Sequence, residues 1–109
     1  MANFVELSID QGSTYSTTLS LKDVNGDPTD LTLFTYASQL RKSYYSANSV
    51  SFVCTAPVPN TGNLIISLSA NTTLNIDPGR YVFDVELISN TSIIRVVEGV
   101  ITITPGVTR

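Results

Sequence analysis

Two carboxylates stand two positions apart in GRYVFDVEL, Gly79 to Leu87: Asp84 and Glu86. On an extended chain they point the same way, with Cβ atoms roughly 7 Å apart. That spacing overlaps the range for acid/base carboxylate pairs in glycoside hydrolysis. Any alternating strand with acidic outer positions gives it too, and no histidine, third polar group or aromatic sugar platform accompanies the pair. The stronger reading is a solvated sheet face that keeps the strand soluble.

The other chemistry-bearing groups lead to the same result. DVNGDPTD brings Asp23, Asn25, Asp27 and Asp30 within one short loop. Oxygen ligands so close raise calcium, but an EF-hand loop counted from Asp23 needs glycine at its sixth position and glutamate at its twelfth. Those positions hold Pro28 and Phe34. Asn25-Gly26 explains the loop as a hairpin turn, because both positions tolerate positive φ. Room is left only for a weak turn-bound calcium. Serine and threonine are abundant, but the chain contains no histidine and no G-x-S-x-G elbow. The lone cysteine, Cys54, sits in the apolar run Val50–Ala56, where a cysteine is a small core residue far more often than a nucleophile. Metal ligation by His or Cys sets fails on count. The sequence therefore predicts no catalytic residue, no cofactor and no metal centre. One pair of aromatics reads two ways: Tyr44 and Tyr45 in the polar loop KSYYSANS form a contact surface for protein or sugar, where tyrosine offers area at low entropy cost, or one packs onto the sandwich rim and the other is incidental.

The elements that must position these groups are short and β-type. In the opening segment Tyr81, Phe83, Val85 and Leu87 alternate with Val82, Asp84 and Glu86, the pattern of a strand with one face in a core. Turn clusters divide the rest into strands near Phe4–Ile9, Thr14–Lys22, Phe34–Lys42, Val50–Ala56, Leu64–Leu68, Arg80–Ile88 and Ile93–Thr104. On the second, Tyr15, Thr17, Leu19 and Leu21 share a side. Ser69 is placed to cap a single helical turn through Leu74. Seven strands in about a hundred residues is the pattern of an all-β, antiparallel immunoglobulin-like sandwich formed by residues 1–109 as one domain. The last strand is apolar on both faces, so it is central or covered. A bulge at Gly99 would place Ile94, Val96, Ile101 and Ile103 on one face.

Composition narrows the function classes. The chain has 109 residues, of which 14% are charged, against ~25% in ordinary soluble domains. So few charges suggest that part of the surface is hidden against another chain. Net charge is −3 with six basic residues, and only Arg41 and Lys42 are adjacent, which argues against nucleic acid. MANFVELSID has neither the basic nor the apolar segment of a signal peptide, and nothing is long enough to span a membrane. Synthesis in the cytoplasm follows as the expectation, which makes the sequons at Asn71 and Asn90 accidental.

GRYVFDVELISNTSIIRVVEGVITITPGVTR resembles a C-terminal pattern of small tailed-bacteriophage structural proteins. In that pattern G-x-Y-x-(Y/F)-D-(V/I)-E-L precedes a turn, an Arg, E-G-x-(V/I)-T-(V/I)-x-P and V-T-R. Gly79, Tyr81, Phe83, Asp84, Glu86, Leu87, Arg95, Glu98, Gly99, Thr102, Pro105, Val107, Thr108 and Arg109 match it. Upstream, Asp30, Leu31, Thr32, Tyr36, Gln39 and Arg41 match a second segment of the same proteins. Gly106 stands where the pattern has an acidic residue, so no role for a charge carries over there. The resemblance implies a virion component, or a module of a tail-fibre or baseplate protein, made in the bacterial host cytoplasm. Its partners would be further copies of itself or other virion proteins, met through Ile94, Val96, Val100 and Thr102. The alternative is a binding module that recognises a host-surface glycan or receptor through Lys42–Ser49, with Tyr44 and Tyr45 in contact. A pairing of Asp84 or Glu86 with Arg41 or Arg95 across the sheet is expected in either case.

Overall fold

The computed structural model describes residues 3–23, 25–32, 34–43 and 48–106. Among the described residues, eight strands form two sheets: β1 (Asn3–Asp10), β2 (Tyr15–Ser20), β3 (Thr35–Arg41), β4 (Val50–Ser51), β5 (Val53–Thr55), β6 (Asn63–Leu68), β7 (Gly79–Ile88) and β8 (Ile93–Thr104). A five-stranded sheet has the order β1-β8-β7-β3-β4 and a three-stranded sheet the order β2-β6-β5. The expected all-β sandwich is present. Between the sheets lies a core that includes Ile9, Leu19, Leu31, Leu40, Leu64, Ile66, Phe83, Val85, Leu87, Ile101 and Ile103. Period-two alternation delivers these side chains, with β7 burying Phe83, Val85 and Leu87 and turning Val82, Asp84 and Glu86 outward.

Several details depart from the sequence reading. β1 pairs with β8 in parallel, from Asn3 opposite Val97 to Asp10 opposite Thr104, so the sandwich is not wholly antiparallel. The run Val50–Ala56 is two strands, because β4 pairs with β3 and β5 with β6. Between them Phe52 turns inward, its N–H donating to the Ser38 carbonyl at 2.9 Å. Its ring meets Phe83 edge-on, with centroids 6.3 Å apart. One short segment thus belongs to both layers. The Asn25-Gly26 turn forms where expected, with Gly26 at φ 83° and Asp23 Oδ1 accepting from the Asn25 and Asp27 amides. It closes a short local hairpin, with an antiparallel bridge between Lys22 and Pro28 and the Thr29 N–H donating to the Leu21 carbonyl at 2.9 Å. The pairing does not extend into the long strands, since β2 pairs with β6 and β3 with β7. After the turn the chain crosses between layers to bury Leu31.

The bulge in β8 lies at Val96, not at Gly99. Val85 faces Val97 and Glu86 faces Arg95, which leaves Val96 as the extra residue. Val97, Gly99, Ile101 and Ile103 are buried together, and Val96 packs against the same core.

Ser69 caps the helical turn α1 (Ala70–Leu74) through the Thr72 amide, as expected. Thr73 in α1 is fully buried and ties it to the β1–β2 turn. Its Oγ1 donates toward the Ser13 carbonyl at 2.8 Å and accepts from the Gly12 amide at 3.1 Å. Gln11 Nε2 adds a bond to the Ile76 carbonyl at 3.0 Å. Thr73→Val keeps the shape and removes the bonds of the Thr73 hydroxyl to Gly12 and Ser13. It is expected to cost about 1–2 kcal/mol, read as a lower urea midpoint at unchanged m-value.

Candidate interaction surface

The outward side chains of the five-stranded sheet form one continuous surface. Pairing sets its rows: Glu6, Val100, Val82 and Arg41 lie across one, and Phe4, Glu98, Asp84 and Gln39 across the next. Val82 and Val100, both half-buried, make the apolar centre. Charges of both signs surround them. Arg95 Nε lies 3.3 Å from Asp84 Oδ2, and its Nη1 lies 3.8 Å from Glu98 Oε2. Arg41 Nη2 donates to Gln39 Oε1 at 3.0 Å. A shallow depression of about 390 Å³ runs over Gln39, Arg41, Val82, Asp84, Glu86 and Arg95.

This geometry addresses the acidic pair directly. Asp84 is engaged by Arg95, as the cross-sheet expectation has it, and Glu86 stands opposite Arg95 in the ladder. Both carboxylates stand on an open sheet face rather than in a cleft that excludes water. Burial pushes the Cys54 thiol up from its ordinary value, which depletes the thiolate that a nucleophile would need. Among the described residues, no group of three or more His, Cys, Asp or Glu side chains is placed to hold a metal ion. No helix among them is long and apolar enough to cross a membrane.

The expected interface residues separate. Val100 and Thr102 lie on the outward surface, opposite Val82 and Arg80. Val96, at the bulge, is half-buried and packs against the core. Ile94 is opposite the buried Leu87 yet remains 46% exposed, beside Ile93 at 64%, where β8 runs past the start of β1. Tyr44 and Tyr45 lie outside the described residues. A cleft of about 480 Å³ is lined by Lys42, Asn48, Ser49, Asn75, Asp77 and Tyr81, among others. Lys42 Nζ sits 4.8 Å above the Tyr81 ring, and the Tyr81 hydroxyl donates to the Asp77 carbonyl at 2.7 Å. Burial, with a smaller contribution from the Asp77 charge, pushes the Tyr81 phenol up. Sequence reasoning assigned Tyr81 to the core side of its strand and missed this cluster, because no local pattern links Lys42 to residues so far along the chain.

No family model matches the chain, and no curated protein does. Solved structures match it in fold. The N-terminal domain of phage TP901-1 ORF48 superposes with a TM-score of 0.53 at 15% identity, over 94% of this chain and 97% of that one. This chain shares its fold with a phage protein domain. InlP of Listeria monocytogenes matches with a TM-score of 0.50 at 14% identity, over 94% of this chain. There the likeness spans only 28% of the InlP chain.

Proposed function

We propose that this chain is a non-enzymatic structural module of a tailed-bacteriophage virion, in the tail, baseplate or head surface. It acts by binding other protein chains, either further copies of itself or neighbouring virion proteins. The observation that carries the reading is the likeness to the phage TP901-1 domain, which runs nearly end to end in both chains. The surface supports it, because Val82 and Val100 form an apolar centre with a charged rim, the composition of a protein contact. Mass spectrometry of purified particles is the test. The chain is expected among the virion proteins, and its restriction to the infected-cell lysate would overturn the reading. Val100→Lys is expected to abolish incorporation of the chain into particles, with the melting curve unchanged, because the side chain points away from the core.

A second reading has its own observation. The cleft beside Tyr81 is lined by Lys42, Asn48 and Ser49, which flank Tyr44 and Tyr45 in the sequence, and we infer recognition of a host-surface glycan or receptor there as the alternative. Under that reading Tyr44→Ala and Tyr45→Ala abolish adsorption to host cells and leave self-association intact.

A further inference from the structure

The two sides of the sandwich are unlike. On one side the sheets end in β4 and β5, of two and three residues, and the chain passes directly between them. On the other they end in β1 and β2, of eight and six residues, each the terminal strand of its sheet. Long terminal strands leave a row of backbone N–H and C=O groups open to another chain. Natural sheets guard such edges with proline, lysine, a bulge or an inward-pointing charge. β1, NFVELSID, has no proline, lysine or bulge, its pairing with β8 is unbroken, and its two charges, Glu6 and Asp10, are acidic and on exposed positions. Val5 and Leu7, which face the core, are only half-buried, and Phe4 is 62% exposed.

We propose that two copies of this chain pair through β1, antiparallel and centred on Leu7, so that the five-stranded sheet continues across a two-fold axis. The inference rests on the assembly reading above and names the partner as a second copy. Register selects the centre. Residues directly opposite in an antiparallel pair share a face, so a two-fold axis normal to the sheet must pass through a residue rather than between two. Centring on Glu6 sets Glu6 against itself, and centring on Ser8 sets Glu6 against Asp10, both like-charge pairs. Centring on Val5 leaves half the strand unpaired. Centring on Leu7 pairs Phe4 through Asp10 with the same residues of the partner and opposes no like charges. Glu6 then faces Ser8, Phe4 faces Asp10, and Val5, Leu7 and Ile9 make a continuous apolar row. The β2 edge lies on the same side, so the axis brings the second sheet toward its copy and adds contact area.

Disulfide trapping in a Cys54→Ser background tests the register. In this arrangement position 6 lies directly across from position 8 of the partner. Two copies of position 6, or of position 8, lie on a diagonal with Cα atoms roughly 8 Å apart, too far for a disulfide. A mixture of Glu6→Cys and Ser8→Cys proteins is expected to give a disulfide-linked heterodimer, and either protein alone is not. The unmodified chain is expected to show a dimer by light scattering at the same concentration, lost in Ser8→Pro while circular dichroism stays native. Equal cross-linking in all three samples, or a monomer at every concentration, would overturn the pairing. A dimer that Val100→Lys abolishes and the cysteine pair does not trap would also overturn it, leaving the assembly reading in place. Trapping of the heterodimer by a chain absent from purified particles would do the reverse.

Discussion

Gly99→Ala is expected to detach β1 from the five-stranded sheet. A Cβ at this position would fall within the carbonyl group of Val5 on β1, 2.8 Å from its carbon and closer still to its oxygen. It would also stand 3.0 Å from a ring carbon of Phe83. Gly99 does not hold a positive φ, so the requirement is steric and comes from its neighbours. The obstruction is backbone, which has no rotamer to change. Relief requires β1 to move away, giving up its ladder and exposing the fully buried Ile9. The cost should exceed about 3 kcal/mol, a large share of the ~5–15 kcal/mol that holds a domain folded. At about 4–8 °C per kcal/mol for a chain of this size, the melting temperature should fall by more than ~12 °C. Hydrogen exchange would show the loss first at the β1 amides. A variant as stable as the parent, with those amides still protected, would mean that the β1–β8 contact is looser than described.

Phe83→Ala is the second large effect, and it acts from the opposite side of the same place. Phe83 stands across the ladder from Gly99, and its ring occupies space that a side chain there would fill. It is 2% exposed and makes the edge-on contact with Phe52. Truncation removes the apolar surface and leaves a cavity between rigid sheets, a change that costs about 3–5 kcal/mol. Because Phe52 marks the point where the chain passes from one sheet to the other, the two rings are expected to couple. A double-mutant cycle of Phe52→Ala and Phe83→Ala should return an interaction of about 0.5–1.5 kcal/mol. Additive single effects would show that the rings pack independently.

What the sequence discloses about this fold follows the range over which each decision is made. Alternation is local, so Tyr81, Phe83, Val85 and Leu87 could be placed on the core side from their spacing, and the helical cap at Ser69 from its residue type. Pairing is not local. Asn25-Gly26 names a turn, and the Lys22–Pro28 bridge closes it, but burial of Leu21 and Leu31 in the space between the sheets decides that β2 and β3 part. Val50–Ala56 reads as one strand because nothing in its residue types marks Phe52 as the crossing point. Gly99 attracted the bulge since glycine often marks one, while Val96, which forms it, has no distinguishing chemistry. The parallel β1–β8 pair joins segments from opposite ends of the chain and leaves no short-range trace. The interaction surface was half legible. Val100 and Thr102 could be placed on β8, but the row from Glu6 to Arg41 exists only once four strands are in register. The Lys42–Tyr81 contact was not legible at all.

The parallel arrangement of β1 and β8 also determines how the molecule bears tension. The start of β1 and the end of β8 lie at opposite ends of the paired ladder, with Asn3 opposite Val97 and Asp10 opposite Thr104. A pull applied at Asn3 and Thr104 slides the two strands along each other and loads their hydrogen bonds together in shear. An antiparallel pair pulled from adjacent ends would instead open one bond at a time, like a zip. Stretched between those two points, the sandwich is built to behave as a stiff link that yields only when the whole ladder gives way.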